Sequence, residues 1–170
     1  MASLCGSDVD WPPMRPREFL ETIVRPNVGD FHADFADLRR AYNAISAVDA
    51  LAAHLYVWAT TNAPLVVASI KDDTHYRANL AARNPEFALL RDIAKAQKHV
   101  HLTQGNPQVT RAEQVTSRAT GLGQGRLGED RLSATAQVVV DIAPDNFSYV
   151  ESIIDDSLAF LEAEMAVLGA

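Results

Sequence analysis

The sequence predicts a mainly α-helical fold, a helical bundle with a β-hairpin inserted before its last helix. Three observations carry this. Apolar residues step by threes and fours along three long stretches, one Val- and Thr-rich stretch loses that step, and glycine and proline punctuate the junctions.

A chain of 170 residues fits a single domain. At that size folding buries roughly 70% of the surface an unfolded chain exposes, so neither a disulfide nor a metal is needed for stability. With 48% hydrophobic and 22% charged residues the composition is that of an ordinary globular protein. Cys5 is the only cysteine, which suits a reducing compartment and leads to the expectation of a cytoplasmic protein. Met1–Asp10 has neither the basic start nor the apolar run of a signal peptide, and no stretch of about 18 apolar residues predicts a membrane span.

Residues 1–16 contain Trp11 among Pro12, Pro13 and Pro16 and read as an irregular arm, leaving 17–170 as the helical domain. Phe19, Leu20, Ile23 and Val24 suggest a short helix over 17–24, stopped by Pro26. The next helix is expected to open at Asp30, an N-cap after Gly29. Its apolar residues run Phe31, Phe35, Leu38, Tyr42, Ile45, Val48, Leu51, Leu55 and Trp58, up to the break at Pro64. From 30 to 60 such a helix spans about 46 Å at 1.5 Å per residue, long enough to ask for a bundle or a dimer to cover it.

Leu65–Ile70 is an apolar run of ambiguous type. A helix then opens at Asp73 or Thr74 and passes through Tyr76 and Leu80 to about Arg83. Asn84-Pro85-Glu86 starts another, with a capping side chain, a proline at the first helical position and an acid near the positive end of the dipole. Leu89, Ile93, Ala96 and Val100 form its apolar stripe to about Leu102, before Gly105, Asn106 and Pro107.

Val109–Ser117 and Leu132–Ile142 read as paired strands, a hairpin at about 109–142. Four of the eight glycines, at 121, 123, 125 and 128, make its long tip. Pro144-Asp145-Asn146 is expected to open the last helix, with Phe147, Val150, Ile154, Leu158, Leu161, Met165 and Leu168 on one side. A second row at Ile153, Phe160 and Val167 predicts that this helix packs on more than one neighbour. More apolar surface than one small bundle covers leads to the expectation of a homodimer.

The net charge of −7 is uneven: −3 over residues 1–70, +3 over 71–131 and −7 over 132–170. A polyanion would therefore have to meet the middle third. Gly123-Gln124-Gly125-Arg126-Leu127-Gly128 spells the dinucleotide pattern, but a strand follows it where the motif requires a helix N-terminus, so no cofactor is expected. Histidines stand at 32, 54, 75, 99 and 101 without a Glu-x-x-His or His-Glu-x-x-His pattern. A metal site is not expected, and the remaining way to build one is His54, His75 and His99 from separate helices. Glu151, Asp155 and Glu162 share a helix face that reads as solvated.

The most informative stretch runs from Arg91 to His99. At 100° per residue Lys98, Arg91, Lys95, His99 and Asp92 fall within about 120° of one helix face. Histidine exchanges protons near neutral pH, and adjacent cations stabilise phosphoryl charge. The same residues also suit a plain solvent face.

Tyr76-Arg77-Ala78-Asn79-Leu80, Arg91-Asp92-Ile93-Ala94 and Lys98-His99, set between an aromatic-rich helix and a Gly-punctuated hairpin, resemble a group of bacterial helical proteins. Those in turn are similar to the HEPN superfamily (higher eukaryotes and prokaryotes nucleotide-binding). The resemblance covers about 30–165, and only 76–101 is specific. It implies a helical bundle, often dimeric, that either cleaves RNA or serves as an inactive binding partner. The family's hallmark is an arginine, frequently followed by a polar residue such as asparagine, then a histidine after a gap of four to six residues. Arg91 and His99 are the matching positions, and thus the candidate catalytic pair, with Asp92 where asparagine is usual and a gap of seven. Lys95, Lys98 and Asp92 are the candidate binding residues beside them. Three functions remain open on the residues: an RNA-associated protein, a non-enzymatic dimeric interaction bundle, and a metal-dependent hydrolase.

Overall fold

A computed structural model describes residues 13–99, 101–103, 105–119 and 135–170. Five helices and a three-stranded antiparallel sheet account for the described chain, in agreement with the expected mainly α class. The arm up to residue 12, the Gly-rich tip and the start of the second strand lie outside the described residues.

The first helix, α1, is three contiguous segments: Pro16–Phe19, a π turn at Leu20–Val24, and Arg25–Ala33. The expected stop at Pro26 does not occur. Proline lacks the N–H for an i→i−4 bond and crowds the carbonyl there. The wider π turn just before it, closed by Arg25 N–H on Leu20 O, accommodates the ring. Asp30 accordingly lies inside α1 and caps nothing.

The break falls at Asp34–Asp37, where Asp34 N–H bonds Phe31 O and Asp37 N–H bonds Asp34 O. Asp37 is the N-cap of α2 (Leu38–Asn62), accepting the Arg39 and Arg40 N–H groups. Those bonds, the Arg40 one foremost, together with the two arginine charges hold its carboxyl below the usual range. The helix is thus 25 residues long, about 38 Å, and shorter than expected. The chain reverses here, so α1 runs back along α2: Phe19 stacks on His54 with ring centroids 4.0 Å apart.

The stripe of α2 is fully inward, from Ala41 and Ile45 through Val48, Leu51 and Leu55 to Ala59. Its many alanines allow close approach, and it touches each of the other four helices. After the turn at 63–70, Asp72 caps α3 (Asp73–Arg83) by accepting His75 N–H at 2.8 Å. Asn84 caps α4 (Pro85–His99) as expected, its Oδ1 accepting Phe87 N–H at 2.7 Å. Replacing it by alanine should cost about 1 kcal/mol in a urea titration, the ordinary worth of such a cap. Loss of much less would mean that the bond does not hold in solution.

Of the expected 109–117 strand only the end forms one: β1 is Val115–Ala119, after a 3₁₀ turn at Ala112–Gln114. The Gln114 side chain replaces a neighbouring strand for the residues before it. Its Oε1 accepts the Thr110 and Arg111 N–H groups, while its Nε2 donates to Asp141 O. β2 (Ala136–Ala143) pairs with β1 in the register Val115↔Val140. A third strand, β3 (Asn146–Tyr149), pairs with β2 and was not expected. Asp145 has φ 60°, so Pro144-Asp145 closes a tight hairpin and does not open a helix.

The last helix, α5 (Val150–Leu168), starts directly from β3. Val150, Ile153, Ile154, Leu161 and Met165 are buried, whereas Val167 is 77% exposed. Its second apolar row is therefore covered only over its first part. Val138 and Val140 of the sheet join residues from all five helices in one core.

Candidate functional site

Helix α4 builds the site. Its N-cap fixes where it starts, and Phe87, Leu90, Ile93 and Ala94 key it into the core with 0–1% exposure. That packing rotates Arg91 inward. Arg91 is only 5% exposed, with Nε 3.9 Å from Asp49 Oδ1. Asp49 is equally buried and takes Arg77 Nη1 on its other oxygen at 3.0 Å, and Arg77 Nη2 reaches Asp73 at 2.6 Å. Burial lowers the Arg91 pKa, and the Asp49 charge opposes that shift. Arg91 belongs to an interior charge network linking α2, α3 and α4. Asp49 was missed from sequence because its partners lie 28 and 42 positions downstream, beyond any local spacing.

The other predicted residues face outward. Asp92 is largely covered, and its Oδ2 accepts Gln108 N–H at 2.9 Å. Its Oδ1 lies 3.9 Å from Lys95 Nζ. Burial raises the Asp92 pKa against the Gln108 bond and the Lys95 charge. Burial also lowers the Lys95 pKa, helped by the Arg91 charge and opposed by Asp92. Lys98 and His99 are exposed at the end of α4.

Beyond His99 the chain turns sharply. His101 N–H bonds His99 O at 2.6 Å, Leu102 N–H bonds Thr110 O at 2.7 Å, and Gly105 adopts φ 78°. The described residues of this loop and α4 line a half-open cleft of about 550 Å³. Asp92, Lys95 and His99 form one wall, and His101, Leu102 and the turn at Gly105–Pro107 the other. The structure thus brings together three of the five predicted residues. It withdraws Arg91 into the core and leaves Lys98 beside the cleft, outside its lining. His101 is the residue sequence reasoning set aside, since two helical positions point it away from His99. No local signal placed the helix end at His99 and not at the expected Leu102.

The remaining histidines have separate partners. His32 pairs with Asp155 at 3.0 Å, His54 Nδ1 donates to Met14 O at 3.2 Å, and His75 Nδ1 accepts Lys71 N–H. Among the described residues no group of three or more His, Cys, Asp or Glu is placed to hold a metal ion. On the acidic face of α5, Asp155 meets His32, and Glu162 meets Arg25 at 3.0 Å. No helix of the described residues is long and apolar enough to cross a membrane.

Comparison with protein-family models, curated proteins and solved structures finds no match.

Proposed function

We propose that the chain is an HEPN-like, RNA-associated helical protein of the cytoplasm, and that it binds RNA without cleaving it. The cleft beside α4 is the binding surface. Lys95 and His99 stand one turn apart on its wall, with His101 opposite and Lys98 beside it, so donors for phosphate oxygens converge there. Against cleavage stands the position of Arg91. Its charge is directed to Asp49 in the interior, so the Arg–His pair of the resemblance does not face one substrate. That single observation favours a binding module over a nuclease.

Fluorescence anisotropy with a labelled single-stranded RNA tests this. The logarithm of affinity should fall linearly with the logarithm of salt concentration. Lys95→Ala and Lys98→Ala should each lower the slope by about 0.7, the value for one phosphate of a single strand no longer neutralised. His99→Ala should weaken binding while changing stability by no more than about 0.5 kcal/mol, as at other surface positions. RNA should stay intact on a denaturing gel. Salt-independent binding, or affinity untouched by these variants, overturns the reading.

A second reading is a dimeric interaction bundle, and one observation favours it. Leu65 and Val66, in the turn after α2, are 90% and 57% exposed. Apolar side chains offered together in this way mark association surfaces. Sedimentation equilibrium at micromolar concentration should then give about twice the 18.5 kDa chain mass. A monomer removes this reading and leaves the cleft unaffected.

A further inference from the structure

Resting on the RNA reading above, we propose that the cleft takes a terminal phosphate monoester, the phosphorylated end of a strand, and not an internal stretch of its backbone.

The cleft has a helix wall and a loop wall, is half open to solvent, and has room for the end of a strand. The 101–108 loop is fastened at two points, Leu102 N–H on Thr110 O and Gln108 N–H on Asp92 Oδ2. Between them Leu102, Thr103 and Gly105–Pro107 line a space of about 550 Å³. That volume lies in the range of small-molecule pockets, about 300–1,000 Å³. A strand end needs room on one side only.

Charge points the same way. Asp92 is the one carboxylate on the described lining, and both its oxygens are directed elsewhere, to Gln108 N–H and toward Lys95. Among the described residues the imidazoles of His99 and His101 have no ion-pair partner. Lys95 and two imidazoles can therefore present three donors to one anion. A terminal monoester has three free oxygens and about −1.5 to −2 charges near pH 7. An internal diester has two free oxygens and one charge. Three donors on one cleft match the former.

The two histidines are also tightly linked. The 2.6 Å bond from His101 N–H to His99 O fixes the spacing of two residues that an extended helix would have set on opposite sides. Donors held in advance lose little freedom on binding.

The test uses the full chain and one RNA hexamer prepared with a 5′-phosphate, with a 3′-phosphate, or with hydroxyls at both ends. One phosphorylated form should bind roughly tenfold or more tightly than the hydroxyl-ended form, about the effect of one added charge-assisted hydrogen bond. Lys95→Gln and His101→Gln should each bring that ratio toward one. Equal affinity for all three forms, with salt-dependent binding retained, overturns the end preference and leaves RNA binding standing. Adenosine monophosphate and adenosine, titrated while following the histidine ring protons by NMR, separate the two failures. If no RNA binds but the monophosphate shifts His99 and His101 and adenosine does not, the terminal-phosphate site is supported and the RNA reading falls. If neither small molecule shifts them and no phosphorylated end is preferred, the terminal-phosphate site falls.

Discussion

Asp49→Ala should destabilise the fold by about 3–5 kcal/mol, the usual cost of stripping one partner from a buried ion pair. Asp49 and Arg91 are each 5% exposed, and Asp49 also holds Arg77 at 3.0 Å. Without the carboxylate, Arg91 is a buried cation with no acid of its own, while Arg77 keeps Asp73. Arg91→Met is the contrasting change. Methionine fills much of the volume of the arginine stem, and Asp49 stays paired with Arg77, so this loss should be clearly smaller. Urea titrations with an unchanged m-value give both numbers. Equal losses, or a larger one for Arg91→Met, would show that Asp49 is not the hub. Arg91→Met should also leave RNA affinity unchanged, since the side chain does not line the cleft. A selective loss of RNA binding there would return Arg91 to the site.

This network shows where sequence reading succeeds and where it ends. The face carrying Lys95, Asp92 and His99 was legible because helical periodicity is local, and α4 starts where Asn84-Pro85-Glu86 says it does. Periodicity also put Arg91 between Lys98 and Lys95, on the edge of that face. Whether an edge residue turns in or out depends on what the neighbouring helix offers, and Asp49 was hidden among apolar neighbours of α2. The face of α4 taken by itself holds no trace of the acid across the helix interface.

The boundary errors have the same origin. Phe31, Phe35 and Leu38 keep a helical step through a real break, because the turn at Asp34–Asp37 aims both sides of it at one core. Three aspartates, Asp30, Asp34 and Asp37, each precede such a residue, and nothing local decides among them. Pro144-Asp145-Asn146 satisfies the composition of a helix start and of a hairpin turn alike. The pairing of Asp141 with Phe147 settles it as a hairpin, and that pairing is tertiary information. His101 entered the cleft because α4 gives way to a sharp turn right after His99, three residues before the expected end.

Phe87→Ala should be the most damaging single apolar truncation in α4, at about 3–5 kcal/mol. Phe87 is 0% exposed in the first turn of the helix, and its ring lies 6.2 Å from that of Phe160 on α5. The two aromatics are opposite sides of one contact, yet their costs should differ. Phe160 is only partly covered, with the Arg83 guanidinium 5.4 Å above its ring, so truncating it leaves a hollow that solvent and the arginine can occupy. Phe87 has no such relief, and the space it leaves is closed on all sides by the core. In a domain of this size each kcal/mol moves the melting temperature by roughly 2–4 °C, so Phe87→Ala should lower it by roughly 6–20 °C. Typical domains have about 5–15 kcal/mol in all, and a loss of this order puts the variant near the limit of folding. Calorimetry of both variants checks the difference. Similar shifts for the two would mean that the α4–α5 contact is not packed as described. A larger shift for Phe160→Ala would mean that this ring, and not Phe87, is the one the core encloses.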